Sequence, residues 1–111
     1  MLGLNAMIYY DALSQQKDLE YQKTLISQRR KNLINIKSSL QFSSTKLDPT
    51  SEGYKALNMR VEQMEQMSQV LDAEAARIDM QLNANQALMQ STKQMLSEDI
   101  KDSFTLTSNN Q

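Results

Sequence analysis

From Leu57 the apolar positions recur by alternate steps of four and three: Val61, Met64, Ser68, Leu71, Ala75, Ile78, Leu82, Asn85, Met89, Thr92, Leu96 and Asp99. Mostly apolar, this series is the repeat of a helix that buries one narrow stripe against a partner helix, held over some six heptads. Between Gly53 and Asp102 no proline or further glycine interrupts it. The first half of the chain shows a weaker version. Leu19, Ile26, Leu33 and Leu40 recur every seven residues, and Ile8, Ala12 and Ile36 extend a neighbouring stripe. Gln15, Gln22 and Arg29 share that companion stripe, so the first seam is apolar on one side and polar on the other.

One break separates the two patterns. The run from Ser43 to Ser51 clusters Ser and Thr and contains Asp48 followed by Pro49, and proline disfavours helical geometry in the residue before it. A new helix can start with Asp48 as N-cap and Pro49 in its first turn, or with Ser51 as N-cap; Ser51 is preferred, since it sets Glu52 at the positive end of the helix dipole. These signals predict a helix over 5–42, a turn over 43–51, a helix over 52–102 and a polar tail over 103–111, in a single all-α domain. So short a connection favours antiparallel neighbours. The expected fold is an antiparallel two-helix hairpin, a coiled coil, within a larger helical bundle or assembly.

Charge supports folding back. Residues 1–50 carry seven Lys/Arg and four Asp/Glu, and residues 51–111 carry five and nine. A fold-back about residue 47 would bring Arg29, Arg30 and Lys31 near Glu62 and Glu65, Lys23 near Asp72, and Lys17 near Asp79. Such exposed pairs favour a register by tenths of a kcal/mol. The stabilisation comes from the seam, expected to be built from Leu19, Ile26, Leu33, Leu40, Leu57, Val61, Met64, Leu71, Ile78 and Leu82, at about 1.5–3 kcal/mol per fully buried large side chain.

The second helix should outrun the first by about 20 Å at its 1.5 Å rise per residue. Its overhanging end would carry Leu88, Met89, Met95, Leu96, Ile100 and Phe104. A second apolar stripe runs along it through Ala56, Met59, Met67, Val70, Ala73, Met80, Ala84, Leu88 and Met95. Together the stripes make a face wider than one partner helix covers, and methionine suits adaptable contacts. The candidate self-association residues are therefore Met67, Val70, Met80, Leu88, Met95, Leu96, Ile100 and Phe104, and the expected partner is another copy of the chain, with other helical proteins as a second possibility.

Composition removes several function classes. The chain of 111 residues has no His and no Cys, which takes away the commonest general base, the commonest metal ligand and the thiolate. Glu62 with Glu65, or Glu98 with Asp99 and Asp102, share helical faces, but a thin hairpin offers them no substrate pocket. No catalytic residue, cofactor or metal ligand is expected. A net charge of −1 gives no footprint for nucleic acid, and the Arg29-Arg30-Lys31 cluster reads as intrachain or intersubunit pairing. No apolar run reaches the ~20 residues of a membrane span. The first residues lack a basic segment ahead of the apolar ones, so a location in the cytoplasm, or export without a cleaved leader, is expected.

The layout resembles the small helical-hairpin subunits of bacterial export filaments, the needle-type proteins of type III secretion. The likeness rests on two helices joined by a Pro-containing polar turn, here Asp48-Pro49-Thr50-Ser51, and on an apolar helix ending, here Ile100 to Phe104. It implies a structural subunit that assembles through helical faces. The alternative is a coiled-coil adaptor or chaperone-like partner of a secretion or other macromolecular complex.

Overall fold

A computed structural model describes residues 2–109; of the expected tail, Asn110 and Gln111 lie outside the described residues, as does Met1. The chain is all-α, an antiparallel two-helix hairpin. Helix α1 spans Leu2–Ser44 and helix α2 spans Glu52–Asn109. Both outrun the sequence limits. The first turn of α1 and the stretch 103–109 of the expected polar tail are helical. Thr105 and Thr107 return their hydroxyls to the carbonyls of Lys101 and Ser103, at 2.9 Å each, which gives these polar side chains partners inside the helix in place of the tail expected of them.

The connection is built from short-range polar contacts. At the end of α1 the amides of Thr45, Lys46 and Leu47 donate to carbonyls three residues back, at 3.2–3.3 Å, which tightens the last turn. Asp48 Oδ1 accepts from the Thr50 amide at 2.9 Å and the Thr50 hydroxyl at 2.8 Å. These two bonds, the amide's first, hold the Asp48 carboxyl below the ordinary value of 3.8. Ser51 is the N-cap of α2: its Oγ accepts the Tyr54 amide at 3.2 Å, and its carbonyl accepts the first helical bond from Lys55. A cap of this kind contributes about 0.5–2 kcal/mol.

The helices form two compact units. One is the turn-bearing stretch Gln22–Ile78; the other joins the stretch ending at Tyr21 to the stretch beginning at Asp79. In the turn-bearing unit Ile26, Leu33, Leu71 and Ile78 are buried, with Leu40, Leu57, Val61 and Met64 half-buried. In the chain-end unit the buried apolar residues are Ala12 and Leu82, and Leu19 is half-buried.

The inward side of α1 differs in part from the expected one. Ala12 lies in phase with Leu19, and the companion stripe runs through half-buried Tyr9, buried Gln16, half-buried Lys37 and buried Ser44. On the expected companion stripe Ile8 and Gln22 are half-buried, while Gln15, Arg29 and Ile36 face solvent, as do Lys23 and Arg30 on the other stripe. Ile8 and Ile36 suggested the opposite side because they are apolar. In the turn-bearing unit the helix instead turns in the side from which Arg30 and Lys37 reach carboxylates. Arg30 Nη2 lies 2.6 Å from Asp72 Oδ1, and Lys37 Nζ lies 3.0 Å from Glu65 Oε1. A long cation can lay its methylenes on a seam and keep its charge at the rim.

The register also differs. Asp72 meets Arg30 instead of Lys23, one heptad further along α1, and Glu65 meets Lys37 instead of the Arg29–Lys31 cluster. A slip of one heptad returns an apolar stripe onto itself, so the hydrophobic pattern is blind to it. In the chain-end unit Asn5 Nδ2 donates to Asp99 Oδ2 at 2.6 Å. The start of α1 is therefore level with Asp99, and the expected overhang from Leu88 onward is confined to the turns beyond it.

Candidate interaction surface

On α2 the residues divide by heptad position. All positions of the seam series, from Leu57 to Asp99, are buried or half-buried. All members of the second stripe, Ala56, Met59, Met67, Val70, Ala73, Met80, Ala84, Leu88 and Met95, are exposed. A helix with one neighbour can turn only about a third of its circumference inward, so apolar residues outside the seam stay in solvent.

The candidate self-association residues fall into both sets. Met67 and Val70 lie exposed in the turn-bearing unit, and Met80, Leu88, Met95, Ile100 and Phe104 lie exposed in the chain-end unit. Met80 at 72% and Phe104 at 74% are the most open of them. Leu96 is half-buried and falls in the seam series. Leu88 and Met95 stand one heptad apart and so stack on one stripe of α2.

Helix α1 adds apolar surface that the heptad reading passed over. Met7, Tyr21 and Phe42 differ by multiples of seven and are exposed, as are Leu4, Tyr10 and Ile34. The signal lay in the sequence as a sparse outer stripe, diluted by Ser14, Gln28 and Asn35 at the positions between. Local contacts engage part of it. Lys46 Nζ sits 4.6 Å from the centre of the Phe42 ring, and Tyr10 meets Tyr9 edge-on at 5.7 Å.

Each unit carries a shallow groove. In the chain-end unit a hollow of about 440 Å³ is lined by Tyr9, Gln16, Gln86, Met89, Gln90 and Lys93. In the turn-bearing unit one of about 270 Å³ is lined by Gln22, Leu25, Ile26, Arg29, Glu74, Arg77 and Ile78. Their walls are amides, aliphatic stems and a few charges, without converging titratable groups. Among the described residues no cluster of carboxylates is placed to hold a metal ion, and no helix is long and apolar enough to cross a membrane.

The seam of the chain-end unit is the more polar. Asn85 and Thr92 are buried, and Asp99 is half-buried. Thr92 Oγ1 donates back to the Leu88 carbonyl at 2.8 Å. Asn85 Nδ2 donates across to the Ala12 carbonyl at 2.7 Å and to Gln16 Oε1 at 3.1 Å, while Gln16 Nε2 donates to Glu20 at 3.2 Å. Among the described residues no buried side-chain nitrogen or oxygen is without a partner.

Comparison of the chain with family models, with curated proteins and with solved structures gives no match.

Proposed function

We propose that this protein is a non-catalytic structural subunit that associates with copies of itself through helical faces, as in the filament or secretion-apparatus subunits whose layout it resembles. The observation that carries this reading is the exposed apolar surface of α2 in the chain-end unit, with Leu88 and Met95 one heptad apart beside a seam already occupied by α1. Large apolar side chains in heptad phase are what a further helix packs against. A second copy supplies such a helix, and its own stripe is covered by the same contact.

Light scattering after size-exclusion chromatography, over a range of concentrations, tests the reading. The chain should grow beyond a monomer as concentration rises. The double variant Leu88→Glu with Met95→Glu should stay monomeric with its helicity retained. A monomer at every concentration, or assembly that persists in that variant, would refute it.

A second reading is a coiled-coil adaptor that docks a different helical protein. The exposure of Met7, Met59, Met67, Met80 and Met95 favours it, because methionine repacks against partners of varied shape. A stable monomer or dimer that binds a helical partner, and loses it on Leu88→Glu with Met95→Glu, would decide for the adaptor.

A further inference from the structure

We infer that Asn85 is the register lock of the chain-end unit: its amide, bonded to the Ala12 carbonyl and to Gln16, selects one of several pairings that the heptad pattern leaves nearly equivalent. The need for a lock follows from the repeat. Ala12, Leu19, Ile26, Leu33 and Leu40 stand seven apart on α1, as do Leu57, Met64, Leu71 and Ile78 on α2. Sliding one helix by seven residues returns each stripe to a stripe, so apolar burial discriminates weakly among such registers.

Asn85 breaks that equivalence. It continues the Leu57-to-Ile78 series as a polar member and is only 7% exposed. Ala12, 1% exposed, is small enough to bring the main chain of α1 within reach, and the amide donates to its carbonyl at 2.7 Å. Gln16, 8% exposed, offers the second acceptor at 3.1 Å and is itself steadied by Glu20. One heptad further along α1, Leu19 and Lys23 would replace this pair. The bulk of Leu19 keeps the backbone away, and Lys23 has no acceptor to offer. One heptad back, Asn5 and Tyr9 would stand there, and the Asn5–Asp99 bond would be lost. A buried amide without its acceptors opposes the slip towards Leu19 and Lys23. A polar layer of this kind lowers stability while restricting which pairings form.

The absence of cysteine from the chain makes disulfide trapping clean. Asn5→Cys with Asp99→Cys reports the observed register, in which those side chains touch. Asn5→Cys with Leu106→Cys reports the slip of one heptad that sets Asn85 against Leu19 and Lys23. Each pair is equilibrated in a glutathione buffer, with Asn85 retained and in the Asn85→Leu and Asn85→Ala backgrounds. With Asn85 present, the first disulfide should exceed the second by about tenfold or more, the size of one satisfied buried polar contact. In the Asn85→Leu background the ratio should fall towards unity while the melting temperature rises. Should Asn85→Leu overpack the site, Asn85→Ala carries the same reading of the ratio. A ratio unchanged in both backgrounds, with helicity intact by circular dichroism, would overturn the inference and leave the register to the turn. Loss of helicity in both would overturn it as well, because a lock is dispensable for pairing itself.

Discussion

Arg30 Nη2 lies 2.6 Å from Asp72 Oδ1, a contact that ties α1 to α2 inside the turn-bearing unit while both side chains stay about half exposed, at 46% and 55%. Its energetic weight follows from that exposure. A double-mutant cycle with Arg30→Ala and Asp72→Ala, read by urea unfolding, should give a coupling of about 0.2–1 kcal/mol. The coupling should shrink when ionic strength is raised from 0.1 to 1 M, as the screening length falls from about 10 to about 3 Å. A coupling that is large and indifferent to salt would place the pair in a dry environment, against the geometry.

Burial predicts where truncation hurts. Ile78 is 1% exposed and Met80, two residues on, is 72% exposed. Ile78→Ala should destabilise by about 2–4 kcal/mol through lost transfer energy and an incompletely filled cavity. Met80→Ala should change monomer stability by less than about 0.5 kcal/mol. Equal effects from the two, measured by chemical denaturation at low protein concentration, would contradict the assignment of the seam.

Gly53 occupies the first turn of α2 without a positive φ. A methyl group added there would meet the Cδ1 atom of Leu47 at 3.4 Å, an ordinary contact with the end of a flexible side chain. Gly53→Ala should therefore stabilise, by about 0.4–1 kcal/mol, mainly by restricting the unfolded chain. A lower melting temperature would mean that the turn packs more tightly against this helix start than that distance implies.

The Asp48 carboxylate supplies a pH signature. Its proton affinity is lowered by the two bonds from Thr50. The sign follows from linkage: a carboxyl with a depressed value stabilises the fold above its unfolded value, and the contribution disappears as pH falls through the lower folded value. Asp48→Ala should thus melt below the unaltered chain near neutral pH, and the gap should close as pH is lowered past 3.8. A gap independent of pH would show that the carboxylate charge plays no part in the turn.

Local chemistry decided a good deal of this protein. The seam of α2 was legible from Leu57 to Asp99, because a sustained alternation of three and four in a stretch without proline leaves a helix only one way to hide its apolar side. The break at Asp48-Pro49 and the cap at Ser51 were legible for the same kind of reason: both act through bonds among adjacent residues. The ends of both helices were not, since a polar residue can either fray or return its hydroxyl to its own helix, as Thr105 and Thr107 do.

What only the tertiary structure decided was which heptad of α1 meets which heptad of α2, and which flank of α1 turns inward. A repeat of seven looks the same after a shift of seven, so hydrophobicity cannot choose between registers. The choice rests on contacts between residues far apart in the chain, Asn85 with Ala12 and Gln16, Asn5 with Asp99, Arg30 with Asp72 and Lys37 with Glu65. Directional polar bonds and charge geometry exist only once the helices lie side by side.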